Sequence, residues 1–151
     1  KTTFTWGEVL SIHQEALYSA KNNKFIRACC YHPSSGLATY RLVPGSEFYL
    51  FTIDSREDNL TVQKFAIEKV WFDEAGFMHH VEKVIEFDTT VRELEMIASD
   101  PNAPESLKFF INMSLSKTVF VTDIPDKEYP PDEMQRVKEY LMKKLQSLVA
   151  D

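Results

Sequence analysis

Two adjacent histidines, His79 and His80, stand in a stretch that is rich in carboxylates and aromatic side chains. Histidine changes its charge near neutral pH, and a neighbouring carboxylate can orient the imidazole for general acid or base catalysis. Glu82 and Glu86 follow His80 at even spacing, which predicts that the three side chains share one face of a strand. This group is the best candidate for proton-transfer chemistry, although a solvated strand face with alternating charges gives the same pattern.

The same two histidines argue against a metal site. Successive strand residues point to opposite faces, so His79 and His80 cannot bind one ion together. The two cysteines, Cys29 and Cys30, are adjacent and lack further ligands at metal-binding spacing. We interpret them as small buried hydrophobic residues in a reducing cytoplasm, since neighbouring cysteines cannot crosslink distant segments. The sequence therefore predicts neither a metal nor a cofactor.

Common catalytic signatures are missing from the sequence. It contains one histidine-x-serine element, at 32–34, whereas two-histidine phosphoesterases pair two such elements. Gly76, Glu82 and the Arg-Glu pair at 92–93 do not keep the spacing of the Nudix box. The chain also lacks a phosphate-binding glycine loop and a nucleophile elbow. These absences favour a role other than catalysis.

The histidines belong to the most strongly patterned stretch of the chain, Lys69 to Val81. Two alternating apolar segments flank the acidic connection at 73–76, and this pattern predicts a β-hairpin in which Gly76 supplies a positive φ. The segment Val70 to Phe77 resembles the late hairpin of small cone-shaped NTF2-like domains. In that family the hairpin lies near the C-terminus, whereas here a large part of the chain follows it, so we transfer neither the family's pocket nor its activity.

The period of the apolar residues predicts the elements that position this hairpin. Helical spacing from Val9 to Ala20 predicts an N-terminal helix that begins at Thr5 and ends at Asn22 and Asn23. Alternation and short turns then predict an antiparallel meander of five strands. The strands are expected at 25–31, 37–43, 48–53, 60–72 and 77–87.

Helices follow the predicted sheet. Thr90 and Glu93 form a capping-box pattern that opens one short helix, and Pro104 suits the first position of a second. The segment 118–122 is a candidate sixth strand at an edge of the sheet. Apolar residues from Met134 to Leu148 recur at helical spacing and predict a long amphipathic helix that docks on the sheet or on a second copy in a homodimer. The fold class is thus α+β, with residues 1–151 as a single domain.

Charge and hydropathy restrict the partners. The net charge is −6, and residues 51–100 hold twelve acidic and five basic residues. Such a surface repels a phosphate backbone, so we predict no direct nucleic-acid binding. The longest apolar runs are far shorter than the about twenty residues of a membrane-spanning helix, so we expect no membrane partner.

We therefore expect a non-enzymatic binding module, of the kind represented by small acidic inhibitors, antagonists or immunity proteins. Aromatic anchors surrounded by charge are typical of protein interfaces, and the acidity favours a partner with a basic surface. The expected contact residues are Trp71, Glu74, Phe77, His79, His80, Glu82 and Glu86. The alternative is a small-molecule or nucleotide site, sequestering or enzymatic, on the concave sheet face, with candidate residues His79, Tyr49, Tyr40 and Trp71.

Overall fold

The computed structural model describes residues 13–31, 47–56, 59–75, 77–116 and 124–149. These residues form five strands and three helices: β1 (His13–Ser19), β2 (Lys24–Tyr31), β3 (Glu47–Arg56), β4 (Asn59–Phe72), β5 (Met78–Thr90), α1 (Val91–Ala98), α2 (Glu105–Ser116) and α3 (Glu133–Val149). The predicted α+β class with a five-stranded antiparallel sheet is confirmed. The strands predicted at 37–43 and 118–122 lie outside the described residues.

The predicted N-terminal helix is wrong over residues 13–19, which form β1. The sheet order is β2-β1-β3-β4-β5, so β1 lies between two antiparallel neighbours. Both faces of β1 are buried: Gln14, Ala16 and Tyr18 alternate with Glu15, Leu17 and Ser19, and all six are inaccessible to solvent. A strand that is buried on both faces has no solvent-exposed polar face, so its apolar residues do not alternate regularly with polar ones. Its apolar residues can then fit helical spacing equally well.

The turn between β1 and β2 explains the two asparagines that we expected at a helix end. The carbonyl of Ser19 accepts the N–H of Asn23 at 2.9 Å, and the Ser19 hydroxyl accepts the N–H of Asn22 at 3.1 Å. Asn23 has a φ of 54°, a left-handed conformation that asparagine tolerates better than most residues. Its carbonyl accepts the N–H of Tyr129 at 2.7 Å, which ties the segment before α3 to this turn.

The sheet is apolar on both sides. On one side, strand residues pack with the three helices in a core that is rich in aromatic rings, including Tyr18, Phe25, Phe51, Phe65 and Phe110. On the other side a smaller cluster contains Leu17, Phe48, Leu50, Val70 and Phe72. Clustered aromatic side chains bury large areas and favour edge-to-face contacts, as between Phe51 and Phe110 at 5.3 Å between ring centroids.

The three helices predicted after the sheet are confirmed. Thr90 is the N-cap of α1, and its hydroxyl accepts the N–H of Glu93 at 3.1 Å. The Glu93 carboxylate accepts the hydroxyl of Thr89 at 2.7 Å, so this glutamate bonds a side chain next to the cap. Val137 and Leu141 of α3 are buried in the main core. This agrees with the prediction of an amphipathic helix that docks on the domain.

Two polar contacts fix α3 against the other helices. The buried Glu133 carboxylate, at the start of α3, accepts the N–H and the hydroxyl of Ser106 at 2.9 and 2.5 Å. A carboxylate in this place also interacts favourably with the dipole of α2. The Tyr140 hydroxyl donates to Asp100 at 2.7 Å. None of the helices formed by the described residues combines the length and the apolar composition that crossing a bilayer requires.

Candidate functional site

The hairpin predicted at Lys69–Val81 is confirmed, since β4 ends at Phe72 and β5 begins at Met78. Asp73 closes the connection between the two strands. One oxygen of its carboxylate, Oδ1, accepts the N–H groups of Ala75 and Phe77 at 3.0 and 2.9 Å, and its own N–H donates to the Phe77 carbonyl at 3.0 Å. Aspartate favours such turns because its short side chain satisfies backbone donors locally. Gly76 lies outside the described residues.

The second oxygen of Asp73 binds a histidine. Its Oδ2 lies 2.8 Å from Nε2 of His79, and the hydrogen bond from His79, followed by the bond from the Phe77 N–H, holds the pKa of Asp73 below its ordinary value. An ionised carboxylate can only accept, so Nε2 carries the proton. The His79 ring stacks on Trp71 with 4.3 Å between centroids and 14° between planes. Three side chains thus order the tip although it is open to solvent.

His80 belongs to a separate pair. Its Nδ1 lies 2.5 Å from Oε2 of Glu68, so the carboxylate again orients an imidazole. His79 pairs in register with Trp71, whereas His80 pairs with the buried Val70 of the smaller core cluster. The expectation that the two histidines face opposite sides of the sheet therefore agrees with the register, and they belong to different networks.

The grouping of His80, Glu82 and Glu86 on one face was wrong. The register between β4 and β5 shifts twice: Ile67 pairs with Ile85 but Glu68 with Lys83, and Lys69 pairs with Glu82 but Val70 with His80. Each shift places an extra residue in β5, and each extra residue reverses the alternation. Glu82 therefore lies on the side of His79, while His80 and Glu86 lie on the other.

Two glutamates of β5 are compensated by lysines of the hairpin. Glu82 forms an ion pair with Lys69 at 3.3 Å, and Glu86 forms one with Lys64 at 2.7 Å and another with Lys83. The hydrogen bonds from Lys64 and then Lys83 hold the pKa of Glu86 below its ordinary value. Glu74, at the tip, has no hydrogen bond or ion pair within the described part of the chain. Glu74 therefore offers a partner an exposed carboxylate at the tip of the hairpin.

Two apolar side chains project from this framework. Phe77 is 68% exposed next to the Asp73 network, and Val81 is 53% exposed where the register shifts. β5 is an edge strand of the sheet, and its bulges and charges hinder continuous pairing with another strand. The exposed apolar surface of the hairpin is therefore formed by side chains rather than by a free strand edge.

The residues of the alternative site are only partly brought together. Tyr49 pairs in register with Lys69, next to the pairing of Trp71 with His79, so all three candidate rings lie on one face of the sheet. Tyr40 lies outside the described residues. Three clefts are formed by described residues elsewhere, and none of these three is lined by Tyr49, Trp71 or His79. No group of three or more potential metal ligands occurs among the described residues.

Two residues that organise the site were absent from the sequence-based candidates. Asp73 was assigned only to the turn, although an aspartate that opens a short acidic connection is a recognisable signal for bonding to backbone amides. Glu68 is twelve positions from His80. Its partnership depends on the shifted register, for which the sequence offers no signal.

No protein-family model matches the chain, and no curated protein is detectably similar. Solved structures that share its fold include the following three. ORF157 of Acidianus filamentous virus 1 has a TM-score of 0.64 and 24% identity, over 89% of this chain and 90% of that one. A point variant of ORF157 has a TM-score of 0.66 and 23% identity, over 89% and 91%. An engineered protein of the Northeast Structural Genomics Consortium has a TM-score of 0.63 and 23% identity, over 90% of each chain.

Proposed function

We propose that this chain is a binding module that engages a protein partner through the tip of the β4–β5 hairpin, as a small inhibitor or antagonist does. The observation that carries the proposal is the exposure of Phe77 on a tip that is held rigid from below. Aromatic residues dominate the energetics of protein interfaces, and burial of this ring would contribute about 2 kcal/mol.

Rigidity matters because binding costs the entropy of every group that it orders. Asp73 closes the connection, and the stacked rings of Trp71 and His79 support it. The backbone N–H and carbonyl of Phe77 are therefore already hydrogen-bonded to Asp73 before a partner binds, which lowers the cost of association. Val81, on the same hairpin, would extend the apolar contact.

The chemistry of the partner follows from the charges that remain. Glu82 and Glu86 are each paired with a lysine, whereas Glu74, on the connection that leads to the exposed ring, has no ion pair with any residue that the structure describes. A partner with an apolar pocket and a basic rim is complementary to this arrangement. The pair of adjacent cysteines still favours a cytoplasmic setting, and self-association through α3, where Met142 is exposed, is a secondary expectation.

The test uses the full chain as bait in extracts of its source, with crosslinking and mass spectrometry to identify captured proteins. Phe77→Ser and Glu74→Lys should each abolish capture of the specific partner, and salt should weaken it. Glu139→Lys is the matched control, because Glu139 is exposed on α3 and bonded only to Gln135 among the described residues. A partner retained equally by all three variants would disprove the proposal.

The small-molecule alternative rests on the face shared by Tyr49, Trp71 and His79, where Lys69 Nζ also lies 6.0 Å from the centre of the Tyr49 ring. A ligand at this face would raise the melting temperature of the chain, and His79→Ala would remove the effect. A ligand that stabilises this variant and the natural sequence equally would bind elsewhere.

A further inference from the structure

A cleft of about 380 Å³ opens at the other end of β5, where this strand meets α1 and α3. The volume lies within the range of small-ligand sites. Its deeper wall is apolar, because Phe87 of β5, Ile97 of α1 and Leu141 of α3 meet there, and Ile97 and Leu141 are buried. Met96 and Leu145 line the outer part. The cleft thus offers an apolar interior built by three separate elements.

The rim of the cleft carries an excess of positive charge. Arg92 is exposed and forms no ion pair with another residue that the structure describes, whereas Lys144 is half-buried and acts on Asp100 at longer range. The hydrogen bonds from Asn102 and Tyr140, and then the charge of Lys144, help to hold the pKa of the Asp100 carboxyl below its ordinary value. The one carboxylate of the lining, Glu93, accepts the hydroxyl of Thr89. Two cations and one carboxylate give the lining one net positive charge, although the chain as a whole carries −6.

Side chains carry the formal charges of the rim. At the start of α1 the Thr90 hydroxyl already accepts the N–H of Glu93, so one of the free amides of the first helical turn is satisfied within the chain. The full positive charges that an anion at the rim would meet are those of Arg92 and Lys144. Guanidinium and ammonium groups both bind carboxylate, sulfonate and phosphate oxygens.

We propose that this cleft binds a small amphipathic anion, in which a compact apolar body enters between Ile97 and Leu141 and a single acidic group meets Arg92 and Lys144. The apolar body of such a ligand matches the apolar interior of the cleft, and its acidic group matches the two cations at the rim. The site is separate from the hairpin tip, so the inference does not depend on the protein-binding proposal.

The test is a displacement titration with the fluorescent aryl sulfonate 8-anilinonaphthalene-1-sulfonate on the folded chain. Octanoate, octylamine and octanol have the same apolar chain and different charge, so they separate the two parts of the site. Octanoate should displace the dye at a concentration about tenfold lower than octylamine, since one favourable charge contact changes affinity by roughly that factor. Octanol should fall between them.

Variants then assign the effect to the cleft. Lys144→Gln should weaken octanoate binding about fivefold to tenfold, and Met96→Glu should weaken it further by placing a negative charge in the wall. Both positions are partly or fully open to solvent, so neither change should prevent folding, which circular dichroism checks. Lys143→Gln removes the same charge from the adjacent, exposed position, which does not line this cleft, and should leave binding unchanged.

Four results would overturn the proposal. Equal displacement by octanoate and octylamine, or equal effects of the two lysine variants, would show an apolar surface without anion selectivity. Failure of the dye to bind would show that the cleft takes no ligand of this kind. Loss of dye binding as the chain self-associates with rising concentration would show that a second copy occupies it.

Discussion

The two ends of the β4–β5 hairpin achieve order in different ways. At the base, Phe65 and Phe87 stack at 5.1 Å between centroids, and Phe65 is fully buried against the helices. At the tip, Trp71 and His79 also stack, but both remain accessible, and Asp73 connects them to the turn by hydrogen bonds. The base is stabilised by burial of apolar side chains, whereas the tip is stabilised by hydrogen bonds and stacking between side chains that remain accessible to solvent.

This difference separates the part of the hairpin that stabilises the fold from the part that is free for a partner. Burial at the base contributes to folding whether or not a partner exists. The network at the tip fixes the position of Phe77, whose exposure contributes little to folding. Equivalent changes at the two ends should therefore have unequal effects on stability and on binding.

The largest effect is expected at the base. Phe65→Ala should lower the free energy of unfolding by about 3–5 kcal/mol, because it removes a buried ring and leaves a cavity beside Phe87 and Phe110. Urea denaturation at neutral pH measures the change. If Phe65→Ala and the same change at Phe77 destabilise the chain equally, the distinction between base and tip is wrong.

A smaller effect is expected where the tip stacks. Trp71→Ala should cost about 1–2 kcal/mol, since the ring is only half-buried and loses its contact with His79. A double-mutant cycle with His79→Ala isolates the contact and should give a coupling energy of about 0.5–1.5 kcal/mol. Additive losses would mean that the stacked geometry contributes nothing.

Sequence patterns could predict the base of the hairpin. The spacing of its apolar residues indicates which side chains are buried, and a capping pattern marks where the next helix begins. Alternation identified β4 and β5, and the spacing of Thr90 and Glu93 identified the start of α1. The same reasoning failed for β1, whose residues are apolar or buried on both faces. The period of the apolar residues reveals a strand only when one face is buried and the other is exposed to solvent. A strand that is buried on both faces lacks this contrast.

The side on which each tip residue lies could not be predicted because it depends on register. One bulge in β5, at Val81, separates Glu82 from His80, and a second, at Val84, separates Glu82 from Glu86, although strict alternation unites the three glutamate and histidine side chains. A bulge follows from how both strands fit the rest of the sheet, and no residue type in β5 marks it. The type and the approximate position of the site residues were thus accessible from the sequence, and their grouping was not.

The network below Phe77 can be tested through its pH dependence. The pKa of Asp73 is lowered from its ordinary value, first by the hydrogen bond from His79, so its contribution to stability is present above the unfolded-state pKa and disappears as pH falls through the folded-state pKa. Asp73→Asn should therefore destabilise the chain at neutral pH, and the difference from the natural sequence should shrink below about pH 4. Urea denaturation across this pH range provides the measurement.

Glu74→Gln is the matched control for this change. Glu74 is the next carboxylate along the turn, is exposed, and has no hydrogen bond or ion pair among the described residues. The change of Glu74 to glutamine should leave the dependence of the free energy of unfolding on pH at acidic pH unchanged. A similar pH-dependent loss in both variants would attribute the effect to the overall charge of the tip and would remove Asp73 from its assigned role.

The smallest effect on stability is expected at the most exposed ring. Phe77→Ala should change the free energy of unfolding by no more than about 0.5 kcal/mol, because its side chain is 68% exposed and the Asp73 contacts use only its backbone N–H and carbonyl. The substitution keeps both backbone groups, so the tip retains its shape while the apolar anchor is lost. Urea denaturation measures the first property, and affinity for the captured partner measures the second. A ring that contributes to binding and not to folding fits the proposed interface, whereas a loss of stability comparable with that of Trp71→Ala would place Phe77 within the folded framework.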